Sequence, residues 1–479
     1  MDKIYEKLYN KMHWLFIKIV KTDCGGNMKF GEYLEELIRK RDLSINALSN
    51  ECKINRGGLY SVFKNQRKLK SDQLFALISK LGLTAMEEIE LMELYFIDLY
   101  GRADYDKINF LIDQMQNLFT VEDLSTEQNV KKSDVVDKLK SFVNENNKVI
   151  TNFSFSFMQA DIIFYNAVKC SKITDFTHIL FLDEKDNYRY NYGSIFKSLK
   201  YMHLLQFPYY LYTSINSLDI CSVMPYFAVG DHTAILFSKD KAIVINQPDA
   251  VKALADEAHK LMQKSKKFGT HSMDIMQIKD EYQKGLSNNI TAVSISSYPC
   301  LAQFVDYETM KSAVRPELPN KDMLVELAYS HYSSIYKTMQ QFDIVTENGI
   351  KRFAETGNFG EIPGDFINCV DVEHRIKILE KVIAAIEKDV FFLLDKNKIT
   401  IPSGFMVEKY ANKTILYFTD EEKENFSSYD KFYAEFEDMS FVKAVNLAAE
   451  YLIKSRIVTT KEYSVQFINN IIIGLKTLI

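Results

Sequence analysis

The sequence predicts a multi-domain chain, mainly α with α/β: an all-α head at the N-terminus, a mixed α/β middle domain and an α+β C-terminal domain. Three observations predict it. The chain has 479 residues, which at roughly 150 residues per domain allows about three cores. Residues 30 to 83 place apolar side chains at helical spacing between capping residues. Residues 150 to 268 instead alternate strand-like and helical patterns.

Composition narrows the class before any element is placed. Hydrophobic residues are 47% and charged residues 26%, with 8 Pro and 17 Gly, which excludes a collagenous, mucin-like or largely disordered chain. The net charge of −5 gives the whole chain no electrostatic reason to meet nucleic acid or an anionic membrane, so any such partner must be met locally. The six cysteines, Cys24, Cys52, Cys170, Cys221, Cys300 and Cys369, are far apart and include no C-x-x-C. They read as scattered thiols of a reducing compartment. No apolar run approaches the length of a membrane span or of a signal peptide's hydrophobic region, and the expectation is a cytoplasmic protein with no membrane partner.

The elements follow in chain order. Residues Lys3 to Lys21 fit an amphipathic helix carrying Ile4, Leu8, Met12, Leu15 and Ile19, broken by Gly25-Gly26-Asn27. Codons for Gly-Gly-Asn can spell a ribosome-binding sequence, so Met28 is expected as the natural start; the other reading of residues 1 to 27 is a dimerisation helix. Tyr33, Leu34, Leu37 and Ile38 then share one helix face. Ser44 caps a second helix with Ala47 and Leu48 inward, Ile54 plugs the turn, and Asn55 caps a third helix that turns Leu59, Val62 and Phe63 inward. A fourth helix starts at Ser71, with Leu74, Leu77, Ile78 and Leu81 at core spacing, and ends at Gly82.

Charge in this segment opposes the chain average. Between Lys53 and Lys70 stand six basic residues, Lys53, Arg56, Lys64, Arg67, Lys68 and Lys70, and no acidic one. Over 29 to 83 there are eleven basic residues against six acidic, a balance of +5 that leaves −10 for the rest. A basic third helix and the loop after it are where a helix-turn-helix reader meets the major groove and its flanking phosphates.

The segment resembles the Cro/repressor-type helix-turn-helix family, the xenobiotic-response-element class of bacterial regulators. The resemblance rests on Leu43-Ser44, Ala47-Leu48-Ser49, Ile54-Asn55-Arg56, Leu59-Tyr60, Asn65-Gln66-Arg67-Lys68 and Leu81-Gly82-Leu83, and covers about 55 of the 479 residues. Ile45 stands where the family usually has Gln, Lys53 where the turn usually has Gly, and Phe63-Lys64-Asn65 where Glu-Arg-Gly commonly closes the third helix. Asn65 can replace that glycine because Asn tolerates the left-handed conformation, whereas Ile45 removes a phosphate or base contact. The resemblance implies groove-facing positions at Asn55, Arg56, Gly57, Gly58, Tyr60, Ser61 and Lys64, with Ser44, Arg67 and Lys68 completing the DNA-binding set. Arg56 is the expected guanine reader, since its fork fits O6 and N7. Gly57 and Gly58 let the helix start approach the DNA backbone closely, and each weakens the helix by about 1 kcal/mol against alanine.

Beyond the head, Met86 to Phe119 reads as two helices and the polar stretch Val121 to Asp134 as a linker. Strand-like or helical patterns follow at Ile150 to Phe157, Ala160 to Val168, His178 to Leu182, near Ile195 to Leu205, and Tyr209 to Ile215. A meander over 226 to 245 and a helix from Pro248 to Lys267 close this part. The C-terminal part reads as a helix from Met323 to Phe342, a turn-rich stretch from Glu347 to Ile367, and a long helix from His374 to Lys388. Short strands follow at Phe391 to Leu394, Ile399 to Pro402, Phe405 to Lys409 and Thr414 to Phe418, then helices Phe441 to Lys454 and Tyr463 to Leu478. The expected domains are 28–84 for DNA binding, 85–135 as connector and linker, 136–270 and 271–479, after a possible extension at 1–27.

Motifs that suggest catalysis fail on their chemistry. Asp256-Glu257-Ala258-His259 spells a helicase tetrad, but no G-x-x-x-x-G-K-[ST] exists to cradle phosphates and Ala258 falls on the inward face of a helix. Asp231-His232 reads as a turn, Glu373-His374-Arg375 as a helix start after Asp371, and no metal-ligating or nicotinamide spacing appears. The chain is expected to be no enzyme, with no cofactor and no metal. The aromatic run through Tyr190 and Tyr192, together with Tyr210, could line a ligand pocket. The resulting expectation is a transcriptional regulator that binds double-stranded DNA as a homodimer and senses a small-molecule or peptide effector. The alternative is an interaction protein, antitoxin-like or a phage-defence component, whose body binds a protein partner.

Overall fold

The computed structural model describes residues 28–118, 134–152, 172–183, 185, 187–199, 207–213, 226–238, 241–267, 269–270, 292–338, 342–362, 364–410, 413–419 and 431–479. The expected helix at Lys3 to Lys21, nearly all of the linker and the helix at Ala160 to Val168 lie outside them. Among the described residues there are 15 helices and two mixed sheets, and the chain divides into two compact units.

The first unit comprises residues 1–109 together with 395–399 and 450–458. Its helices are α1 (Phe30–Lys40), α2 (Ile45–Glu51), α3 (Arg56–Phe63), α4 (Ser71–Leu81), α5 (Ala85–Tyr100) and the start of α6 (Arg102–Gln116). Leu34 from α1, Leu59 from α3, Leu74 and Leu77 from α4 and Leu91 from α5 are fully buried in one cluster. The sequence reading set residues after 84 apart as a connector, yet α5 places Leu91, Tyr95 and Phe96 in the same core as Leu34. Tyr451 joins that cluster as well, its ring 4.7 Å from Phe96 and 6.2 Å from Tyr105. Burial there pushes the Tyr451 hydroxyl up to about 12.

The second unit holds both sheets. Its first part runs α7 (Asp134–Glu145), β1 (Lys148–Asn152), β2 (Asp175–Asp183), α8 (Tyr188–Leu199), β3 (Phe207–Thr213), β4 (Tyr226–Gly230), β5 (Ala234–Phe237), β6 (Ala242–Ile245), α9 (Pro248–Lys264), β7 (Lys266–Lys267) and β8 (Gly269–Thr270). Then come β9 (Ala292–Ser296), α10 (Tyr307–Ala313), α11 (Lys321–Thr338), β10 (Phe342–Thr346), α12 (Glu347–Thr356), α13 (Val372–Glu387) and β11 (Phe391–Leu394). The remaining elements are β12 (Phe405–Tyr410), β13 (Lys413–Thr419), β14 (Lys431–Phe436), α14 (Met439–Lys454, whose residues from 450 on belong to the first unit) and α15 (Lys461–Lys476).

Six strands of each sheet repeat one topology, and the seventh lies at opposite edges. The first has the order β6-β5-β4-β1-β2-β3-β7, and the second β11-β10-β9-β12-β13-β14-β8. In the first, β1, β2 and β3 are parallel neighbours and β4, β5 and β6 form an antiparallel meander on the other side of β1. In the second, β9, β10 and β11 are parallel and β12, β13 and β14 form the meander on the other side of β9. Parallel neighbours need crossover connections and bury both faces, and all five residues of β9 are buried. The nearly consecutive β7 and β8 pair with β3 and β14 respectively, so one short stretch closes an edge of each sheet. Phe196 of α8 meets Phe405 at 6.0 Å and Tyr192 meets Phe441 at 4.9 Å, which packs that helix against the second sheet's elements.

Several sequence expectations need correction here. The helix expected to reach Phe342 ends at Thr338, and Phe342–Thr346 is the middle parallel strand. Its three central residues, Asp343, Ile344 and Val345, are buried in succession, so they lack the alternation that marks a strand. The stretch expected to be turns opens with α12, whose N-cap Thr346 accepts from the Gly349 amide at 3.1 Å. Ile399 to Pro402 is not a strand. The helix placed near Ile195 to Leu205 starts earlier, at Tyr188.

Candidate nucleic-acid interface

The α2-turn-α3 pair is set by its caps. Ser44 Oγ accepts from the Ala47 amide at 3.4 Å, and Asn55 Oδ1 accepts from the Gly58 amide at 2.5 Å. Between the helices, Ile54 is buried and Ser49 Oγ donates to its carbonyl at 2.5 Å. Lys53 stands at φ +54° in the turn, the left-handed conformation for which the resembling family uses glycine. Asn65 takes φ +54° after α3, and its Oδ1 accepts from the Gly31 amide at 3.0 Å. That side chain therefore anchors α1 to the end of α3, in addition to tolerating the left-handed backbone.

The α3 helix buries Leu59, Val62 and Phe63 and exposes Arg56, Gly57, Tyr60 and Lys64. The Arg56 guanidinium lies over the Tyr60 ring, 5.7 Å from its centroid, a cation-π arrangement that holds the arginine at the helix start. All six basic residues between Lys53 and Lys70 are exposed. The acidic Glu87 is already engaged: the Thr84 amide and Arg41, with Lys40, hold its carboxylate down to about 2. In consequence it caps α5 rather than opposing the basic face.

Some expected DNA-binding residues have other positions. Gly58 is buried, because the Asn55 amide and the Arg67 guanidinium pack where its side chain would stand. Ser61 is half-buried and its Oγ donates to the Gly57 carbonyl at 2.9 Å. Lys68 donates to the carbonyls of Asp98 at 2.6 Å and Leu99 at 3.2 Å, placing its charge at the C-terminal end of α5. One cation was missed: Arg456, exposed in this unit, lies 4.0 Å from the centroid of the Phe75 ring of α4. No local pattern links residues nearly 400 positions apart.

Two of the three tyrosines expected to line a ligand pocket are buried. Tyr192 is 1% exposed, with its hydroxyl 3.1 Å from Ser440 Oγ, and Tyr210 is 4% exposed, 5.8 Å from Phe436. Both fill core space between rings, and burial pushes the Tyr210 hydroxyl up. Tyr190 is half-buried in the first turn of α8. A cavity of about 410 Å³ lies elsewhere in the second unit, bounded by β1, β2, β4 and α9, with Lys148, Asp175, Asp231 and His259 in its lining. The helicase-like tetrad lies on α9 with Asp256, Glu257 and His259 exposed and Ala258 buried, and Lys260 pairs with Glu257 at 2.6 Å. Asp371 caps α13 through the His374 amide at 2.9 Å. Among the described residues no three His, Cys, Asp or Glu are grouped to hold a metal ion, and no helix is long and apolar enough to cross a membrane.

The chain matches no protein-family profile, no curated protein and no solved structure.

Proposed function

We propose that this chain is a sequence-specific regulator of transcription that reads double-stranded DNA with α3, using the second unit to dimerise and to sense an effector. The observation that carries the reading is the capped α2-turn-α3 pair whose outer helix exposes Arg56, Tyr60 and Lys64 in an acid-free basic stretch. Helix-turn-helix proteins lay such a helix in the major groove, and a dimer sets two of them about one helical turn apart. Arg56 is the base reader, and Lys64, Arg67 and Lys70 supply phosphate contacts. The cavity beside β1 and α9 offers space for a small effector. Such an effector acts only if it binds two arrangements of the protein with unequal affinity.

The test is a titration of the full chain against its own upstream intergenic DNA at two salt concentrations, beside Arg56→Ala and the double variant Arg56→Ala/Lys64→Ala. Specific binding that survives competitor DNA and weakens steeply with salt is expected. Arg56→Ala alone should cost about 10- to 100-fold, the weight of one bidentate base contact of about 1–3 kcal/mol. A folded protein that binds no duplex, or a double variant that binds as the native chain does, overturns the reading.

A further inference from the structure

The two glycines that open α3 occupy unlike positions. A Cβ on Gly58 would stand 2.7 Å from Arg67 Nη1 and 2.8 Å from Asn55 Oδ1, so a side chain there must displace the Asn55 cap and the Arg67 guanidinium. Gly57 is exposed, and a Cβ on it would meet nothing nearer than Asn55 Oδ1 at 3.9 Å, ordinary van der Waals contact. Its backbone is not among the positive-φ glycines. Alanine therefore fits position 57 in both space and conformation, and alanine is the better helix former. Nothing within the described residues calls for the glycine.

The surroundings of Gly57 point outward. Arg56 precedes it and leans over Tyr60, and Ser61 bonds the Gly57 carbonyl from one turn further on. Positions three and four residues ahead on a helix share its face, so Tyr60 and Ser61 border a notch with the Gly57 Cα as its floor. The first-turn amides of a helix lack partners within it, and the Asn55 cap takes the amide of Gly58 and leaves that of Gly57. A bare Cα and an uncapped N–H thus lie beside the arginine whose fork suits a guanine edge.

We propose that Gly57 is a specificity-determining residue: the major-groove edge of a base pair approaches its Cα more closely than a methyl group would allow. The proposal rests on the reading of α3 as the DNA-contacting helix and adds to it the reason for a glycine there.

The experiment compares the full chain with Gly57→Ala and Gly58→Ala. Each is melted thermally and titrated with duplexes recovered from a random pool by the native protein, including single base-pair changes across the site. Gly57→Ala should melt at or above the native temperature yet bind the recovered duplex at least tenfold more weakly, with altered preference confined to one or two adjacent base pairs. Gly58→Ala should melt lower, because its methyl group displaces the Asn55 side chain that caps α3. A Gly57→Ala variant that binds as the native chain does overturns the proposal and leaves the DNA reading intact. An equal loss for every duplex overturns it in favour of a phosphate approach, and a lowered melting temperature overturns it by showing that the fold needs the glycine. Recovery of no duplex by the native chain removes both the proposal and the reading beneath it.

Discussion

The two sheets of the second unit share one order and one set of directions over six strands but differ in what fills and closes them. In the first sheet, the register partners Thr151 and His178 on β1 and β2 form a buried pair, Oγ1 to Nδ1 at 2.8 Å. In the second, the register partners Ser294 and Asp343 on β9 and β10 do so, with Ser294 Oγ donating at 2.6 Å and Gln303 Nε2 donating to the other carboxyl oxygen at 2.7 Å. The meander edges differ too. Strand β14 pairs with β8 and buries Ala434 and Phe436 completely, whereas among the described residues β6 pairs with β5 alone and leaves Ile243 52% and Val244 40% exposed. One topology therefore accommodates two different buried polar pairs, so the repeat alone says nothing of a shared chemistry. Any function particular to one sheet must reside where they differ.

The largest expected effect separates the two meander edges. Phe436→Ala should destabilise the protein by about 3–5 kcal/mol, because a fully buried ring leaves a cavity between Tyr210 and Phe441. Ile243→Ala on β6 should stay within about 0.5 kcal/mol, as for other surface substitutions. Urea unfolding of the two variants beside the native chain measures both. Equal losses would mean that β6 is covered in solution, and the contrast between the edges would be lost. Lys138 already shields part of that strand, since its Nζ donates to the Ala242 carbonyl at 2.8 Å, and charged cover of this kind discourages edge pairing.

Next in size is the acidic member of the second pair. Asp343→Ala removes the acceptor for two buried donors, Ser294 Oγ and Gln303 Nε2. Gln303 Nε2 keeps the Cys300 carbonyl at 2.8 Å, and at about 1–3 kcal/mol for each buried hydrogen bond lost, a loss near 3 kcal/mol is expected in the same unfolding measurement. Asp343→Asn should recover at least half of it. Its Oδ1 still accepts from Gln303, and the Ser294 hydroxyl can turn to accept from the new amide. An Asn variant as damaged as the Ala variant would show that the carboxylate acts on more than these two partners.

The head was legible in the sequence because its determinants are local. Ser44 and Asn55 cap helices three residues away, and the apolar faces repeat within one or two turns. Asn65 was expected to tolerate the left-handed conformation, and it takes φ +54°. What failed in the head was non-local: Tyr451 in its core, Lys68 at the end of α5, and Arg67 against Gly58. In the second unit the antiparallel meander of β4 to β6 was readable, since its strands are neighbours in sequence joined by tight turns. Of the parallel strands, β1, β2, β3 and β11 fall on strand-like patterns, whereas β9 and β10 were not readable. β10 is five residues between two helices, and its partners β9 and β11 lie tens of residues away on either side. Tyr192 and Tyr210 misled for a related reason, since the rings they pack on, Phe441 and Phe436, come from more than 200 residues downstream.

The smallest loss expected at a buried group is that of the pair in the first sheet, and it sharpens the comparison most. Thr151→Val keeps shape and volume, removes one hydroxyl, and deprives His178 Nδ1 of a partner 2.8 Å away in a site where both residues are 0% exposed. A loss of about 1–2 kcal/mol follows from one buried hydrogen bond plus the incomplete satisfaction of the ring nitrogen. That is below the cost at Asp343, where two donors lose their acceptor. A double-mutant cycle with His178→Phe isolates the pair, and coupling near 1 kcal/mol is the expected result. If Thr151→Val instead costs as much as Asp343→Ala, the two pairs carry equal weight in their sheets. The polar interiors would then be as much a part of the repeated design as the strand order, and the difference in residue type would be one of chemistry alone.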